Sequence, residues 1–185
     1  MNRGRCAMKR DPQQPLVGIV MGSDSDFPIM EEAAKAFKQF GIPHEVRVIS
    51  CHRAPAQVIE YARSAQGKGL KVIIAGAGGA AHLAGIIAAE TTLPVIGVPI
   101  ESSPLHGIDA LLSTAQMPGG VPVATMAVGK AGAKNAAIFS TEILAIYDDD
   151  LNKKLNEFKE SLEREVTAKD RAIADKLNRL GGEEA

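Results

Sequence analysis

Aromatic residues are scarce in this 185-residue sequence: they make up 4% of it, and tryptophan is absent. So few rings leave little material for base-stacking platforms or a flavin sandwich. Only two cysteines occur, Cys6 and Cys51. They are too few for a disulfide framework or a cysteine-rich zinc site, and they fit a reducing cytoplasm. Charge of one sign is missing as well, with 21 Lys and Arg against 22 Asp and Glu and a net charge of −1. That balance gives no electrostatic footprint for DNA, RNA or an anionic membrane, so neither a nucleic acid nor a membrane is expected as a partner. No apolar run approaches the ~18 residues of a membrane span. The basic residues 1–5 are followed by no apolar stretch, so no secretory signal is read there. The G-x-x-x-x-G-K-[ST] phosphate loop and the G-x-S-x-G nucleophile elbow are both missing. His44, His52, His82 and His106 show no metal-ligand spacing, and carboxylates do not cluster with them, so no metal is expected.

What is present reads as a globular α/β chain. Hydrophobic residues make up 45% and charged residues 23%, ordinary values for a soluble domain. Residues 1–15 are polar, carry Arg3, Arg5, Lys9 and Arg10, and read as a disordered leader. An α/β domain is expected over 16–150, built from short apolar runs alternating with helical periods. Strands are expected at 16–21, 46–49, 71–75, 94–98 and, more weakly, 122–126. Met30, Ala33, Phe37 and Phe40 recur at helical spacing, and Gly41 stops that helix. Val58, Ala62 and Ala65 mark a second helix. Further helices are expected at 80–90, 108–114 and 131–147. Strands apolar on both faces and separated by helices predict a parallel five-stranded sheet in a three-layer αβα sandwich of flavodoxin-like type, with strand order 2-1-3-4-5. Residues 151–185 form a C-terminal extension. Leu151, Leu155, Phe158, Leu162, Val166, Ile173, Leu177 and Leu180 make an apolar stripe on one amphipathic helix there. Such a helix must pack on its own domain, a neighbouring subunit or a partner.

In open α/β sheets ligands bind beyond the carboxyl ends of the strands, so the loops after the first three strands carry the chemistry. The first is Gly22-Ser23-Asp24-Ser25-Asp26. A glycine turn opening a helix leaves N–H donors for a phosphate, and the hydroxyls of Ser23 and Ser25 add to them. Ser and Asp equally serve as helix caps. Two carboxylates would repel a phosphate, so at least one should face something else, such as ribose hydroxyls. The second loop, Ser50-Cys51-His52-Arg53-Ala54-Pro55, sets a proton-exchanging imidazole beside a guanidinium fork suited to phosphate. Cys51 reads as a small packed thiol. The third loop runs from Gly76 through Gly78 and Gly79 to His82 and Leu83. Its small residues let a ligand approach the backbone. His82 is either a second polar contact or a helix-face histidine. A dinucleotide fingerprint is weak here because it falls on the third strand–helix unit, with Glu101 as its only candidate ribose acid.

These loops, with Gln116-Met117-Pro118-Gly119-Gly120-Val121-Pro122 and Gly129-Lys130-Ala131-Gly132-Ala133, stand in order from about residue 16 to 147. Together they resemble the N5-carboxyaminoimidazole ribonucleotide mutases of purine biosynthesis. The resemblance implies an isomerase that moves a carboxylate from the exocyclic nitrogen to ring carbon C4 of an imidazole ribonucleotide, by decarboxylation and recapture of trapped CO2. It implies His52 as the general acid/base and Arg53 as the 5′-phosphate fork. Ser23 and Asp26 fall at substrate-holding positions, with Gly22, Ser25 and Ser50 beside them. Gly78, Gly79 and His82 would enclose the imidazole. No cofactor is implied, since the migration needs a proton carrier, an anion grip and exclusion of water. A cytoplasmic homo-octamer with sites at subunit contacts is implied as well. Related carboxylases that take free CO2 have Lys after the histidine, where this chain has Arg53. Cys51 and Ala84 depart from the usual family residues, Ala and Pro. A carboxylase acting on aminoimidazole ribonucleotide (AIR), and a non-catalytic nucleotide-binding module, are the competing readings.

Overall fold

The computed structural model describes residues 14–181, with side chains up to residue 178. The leader expected over 1–15 thus lies outside the described residues, Gln14 and Pro15 excepted. Five strands form one sheet: β1 (Val17–Met21), β2 (His44–Val48), β3 (Val72–Gly78), β4 (Val95–Ile100) and β5 (Ala124–Thr125). All pairings are parallel and the order is β2-β1-β3-β4-β5, as expected from the fold class. β1 is an interior strand, flanked by β2 and β3, and is wholly buried, so its run of apolar residues packs on both faces.

Alternation along the strands divides the core in two. Val17, Ile19 and Met21, with Val72 and Ile74, face α1 (Phe27–Phe40) and α5 (Lys130–Ala145). Val20, Ile73 and Ala75 face α2 (Pro55–Ala65) and α3 (Leu83–Glu90). α4 (Ile108–Ala115) lies on this second face, where the Thr114 side chain sits over Gly97 of β4. Three layers result. The residues that predicted α1, namely Met30, Ala33, Phe37 and Phe40, are its buried stripe, and Gly41 ends it in the left-handed region at φ 71°.

Two expectations need correction, and the packing of the C-terminal helix is defined. β3 runs three residues beyond the expected end at 75, through Ala77 to Gly78, because it stays paired to β4 up to Gly78 against Ile100. β2 is not apolar on both faces: it is an edge strand, with Val46 39% and Val48 53% exposed. The C-terminal helix α6 (Asp149–Gly181) packs for only part of its length. Leu151 and Leu155 are buried, and Phe158 meets Phe40 edge-on with ring centroids 5.5 Å apart. Lys154 Nζ donates to the Phe40 carbonyl at 2.9 Å, and Lys159 pairs with Glu142. Beyond them Leu162, Val166, Ile173 and Leu177 continue the stripe in the open, at 43–66% exposure.

Candidate active site

The strand order sets the carboxyl ends of β2, β1, β3 and β4 side by side. They surround a cavity of about 240 Å³. β1 contributes Gly22, Ser23, Ser25 and Asp26 to its wall, and β2 contributes Ser50, Cys51, His52 and Arg53. From the β3 side come Ala77, Gly78, Ala80 and Leu83, and from β4 comes Ser102. Eight of the ten residues singled out in the sequence as site candidates therefore line one space. The other two, Gly79 and His82, lie on the same loop but not on the cavity wall. Gly79 takes φ +58°, a left-handed bend that turns the chain after β3.

The first loop is tied to itself. Ser23 caps a single 3-10 turn over Asp24–Asp26, its Oγ accepting from the Ser25 N–H at 3.3 Å. Asp26 turns inward, 6% exposed, and Oδ2 accepts from the Ser23 N–H at 3.1 Å. Burial lifts the Asp26 carboxyl above its ordinary value, against the pull of the Ser23 and Gly22 N–H groups. Asp24 instead accepts from Ser23 Oγ at 3.2 Å and from the Ser25 N–H at 3.1 Å. Capping is thus a real part of this loop's geometry, and it fixes where both serine hydroxyls stand.

The second loop is a tight turn, with the Ala54 N–H donating to the Ser50 carbonyl at 2.9 Å before Pro55 opens α2. Arg53 lies over the cavity rim. Its Nε donates to Ser50 Oγ at 3.3 Å and its Nη2 to the Gly22 carbonyl at 3.4 Å. Bonds this long hold the fork loosely, leaving it able to turn toward an anion. His52 Nε2 lies 2.9 Å from His82 Nδ1, with the two rings edge-on at 82°. Cys51 is buried, and burial raises its thiol pKa, which suits a packed thiol better than a nucleophile.

Ser102 was missed in the sequence. The rule applied to the first three strands, a polar residue just past an apolar run, also marks Glu101-Ser102-Ser103 after β4. Its place depends on Gly78: a methyl at that position would overlap Ser102 Oγ. Glu101 turns away and accepts from His106 Nδ1 at 2.9 Å, so it is engaged outside the cavity. Among the described residues no group of three or more His, Cys, Asp or Glu is placed to hold a metal ion. No described helix is long and apolar enough to cross a membrane.

Fold and cavity together define the class, a flavodoxin-like α/β protein whose strand ends gather an imidazole, a guanidinium and several hydroxyls. Residues 16–165 match the model of the AIR carboxylase family. The chain is 52% identical over 171 residues to the N5-carboxyaminoimidazole ribonucleotide mutase of Pyrococcus horikoshii, covering 92% of this chain and 93% of that one. Against the mutase of Bacillus subtilis it is 55% identical over 153 residues, covering 83% and 94%. Among solved structures, Treponema denticola PurE superposes with a TM-score of 0.77 at 29% identity, covering 84% of this chain and 96% of that one. The chain belongs to the AIR carboxylase family and is an enzyme.

Proposed function

We infer that the enzyme converts N5-carboxyaminoimidazole ribonucleotide to 4-carboxy-5-aminoimidazole ribonucleotide in purine biosynthesis, in the cytoplasm. The cavity supports this reading, because it brings His52, Arg53, Ser23 and Asp26 from two separate loops to one place. Arg53 grips the 5′-phosphate, helped by the hydroxyls of Ser23, Ser25 and Ser50. Asp26 accepts from the ribose. The Gly78 backbone lets the imidazole lie flat against the end of β3. The N–CO2 bond then breaks, His52 gives a proton to the nitrogen, and CO2 stays in the cavity. C4 attacks that CO2, and His52 takes the proton that C4 releases. One proton leaves the histidine and one returns.

Oligomerisation belongs to the same reading. Leu105, Ile108 and Leu112, at and just before α4, are 52–61% exposed. With the open half of α6 they form apolar faces that a single chain leaves uncovered, and a homo-octamer would cover them.

The family description favours one other reading, a carboxylase that takes AIR and free CO2. A single assay separates the two. The N5-carboxylated nucleotide is supplied without ATP or bicarbonate, to wild type beside His52→Asn and Arg53→Ala. Conversion should fall at least ~10²-fold in His52→Asn, the lower range for acid–base catalysis. In Arg53→Ala the main change should be a raised KM. Turnover only with AIR and bicarbonate would select the carboxylase. Near-normal turnover by His52→Asn would sink the proton-carrier role, and no turnover by folded wild type on either substrate would leave a binding module.

A further inference from the structure

The reading above uses His52 and leaves its neighbour without a task. We propose that His82 is the positioning partner of His52, orienting its ring and sharing one proton with it across the 2.9 Å contact between Nε2 and Nδ1. This rests on His52 being the proton carrier.

The chemistry of the contact is restrictive. Two ring nitrogens at hydrogen-bond distance can hold one hydrogen between them, so one ring donates and the other accepts. The tautomers of the two rings are therefore coupled, and Nδ1 of His52 is left as the nitrogen for substrate. In the base form the hydrogen sits on His52 Nε2, and His82 carries its own on Nε2. When His52 takes a proton at Nδ1, the Nε2 hydrogen can pass to His82 Nδ1, and one positive charge is spread over two rings. Returning the proton to substrate reverses both moves. No third group is needed, and the proton count balances. With both rings cationic, no N–H···N bond can form and the arrangement opens.

The backbone supports the assignment of His82 as the fixed member. It directly precedes α3, its N–H donates to the Ala80 carbonyl at 2.8 Å, and its own carbonyl accepts from Ile86 at 3.0 Å. A ring on so constrained a residue can aim a neighbour on a turn. Other charged or titratable groups near the pair are Asp26, Arg53 and Cys51, all on the cavity wall. Arg63 of α2 and Glu90 of α3 pair with each other at 2.8 Å, at the opposite end of α3. Glu101 and His106 pair beyond β4. Among the described residues no carboxylate is hydrogen-bonded to either ring, so the orienting group is itself an imidazole.

Two variants and two readouts test this. His82→Phe keeps a ring and removes the nitrogen, and His82→Gln restores a bonding partner that cannot titrate. We expect kcat to fall ~10-fold or more in His82→Phe with KM little changed, and to recover in part in His82→Gln. In both, the acid limb of the pH–rate profile should be displaced. Ring-nitrogen NMR of the substrate-free enzyme should show one fixed His52 tautomer in wild type and a mixture in His82→Phe. Unchanged kcat and pH profile, or a rise in KM alone, would overturn the proposal. So would an active wild type whose His52 tautomer is free. A fixed tautomer in a wild type with no mutase activity would instead overturn the function and leave the pairing standing.

Discussion

At the scale of single residues, Asp26 shows how one carboxylate serves both fold and site. Its burial raises its pKa, so the native chain holds this proton more tightly than the unfolded chain does. Stability from the group is then fully present below the ordinary aspartate range and is lost as pH rises through the raised value. Asp26→Asn keeps an acceptor for the Ser23 N–H and removes the titration. Its urea midpoint should therefore gain on wild type as pH climbs from about 3 to 7, the span over which aspartates titrate. A pH-independent difference would show that the carboxyl is not desolvated. Asp109 has the opposite sign, lowered by its bond from Ser103, but it is common to both proteins and cancels in the comparison. The lining of the candidate site was largely legible residue by residue, because Ser23 and Asp26 stand in the loop after β1 and His52 and Arg53 in the loop after β2. The His52–His82 contact was not, since thirty positions separate the two rings and only the pairing of both β2 and β3 with β1 brings their loops together.

At the scale of elements, α6 divides into two halves with different physics. Leu155 is buried against the domain, so Leu155→Ala should destabilise by about 2–5 kcal/mol through the lost contact and the cavity left behind. Leu177, on the same stripe, is 62% exposed, and Leu177→Ala should change the stability of a single chain by no more than about 0.5 kcal/mol. Urea titrations of both variants check the contrast, and equal losses would mean that the far half of α6 is also covered. Sequence pattern located every element and placed helix α1 by its buried stripe. It misjudged β2, and left open what covers α6, for one reason. An apolar residue at the right period states that a face exists, while edge position and helix overhang decide whether anything lies against it. The end of β3 was misjudged for another, as Gly76, Ala77 and Gly78 carry no strand signature and owe their extension to pairing with β4.

At the scale of the whole molecule, the uncovered faces make a statement about concentration. If Val166 and Ile173 meet another chain, the mass in solution should exceed that of one 19.5 kDa chain and should fall in Val166→Ser/Ile173→Ser. Any loss of stability in Leu177→Ala would then be largest at high concentration and shrink on dilution toward the single-chain value, because the interface it weakens is itself lost. Sedimentation of wild type and the double variant, over a hundredfold or so in concentration, decides this. A wild type that stays a single chain throughout would leave both faces without a partner of their own kind.

The seating of Ser102 over Gly78 reaches further than the cavity it shapes. Position 78 cannot drift alone: a Cβ there would meet the Oγ and Cβ of Ser102 and crowd the Ile100 carbonyl, whereas a smaller residue at 102 leaves Gly78 undisturbed. The two strand ends, twenty-four residues apart in the chain, are thus coupled in one direction only. Over a lineage position 102 can shed its side chain while glycine stays at 78, but a residue larger than glycine at 78 needs that loss and a shift of the Ile100 carbonyl as well.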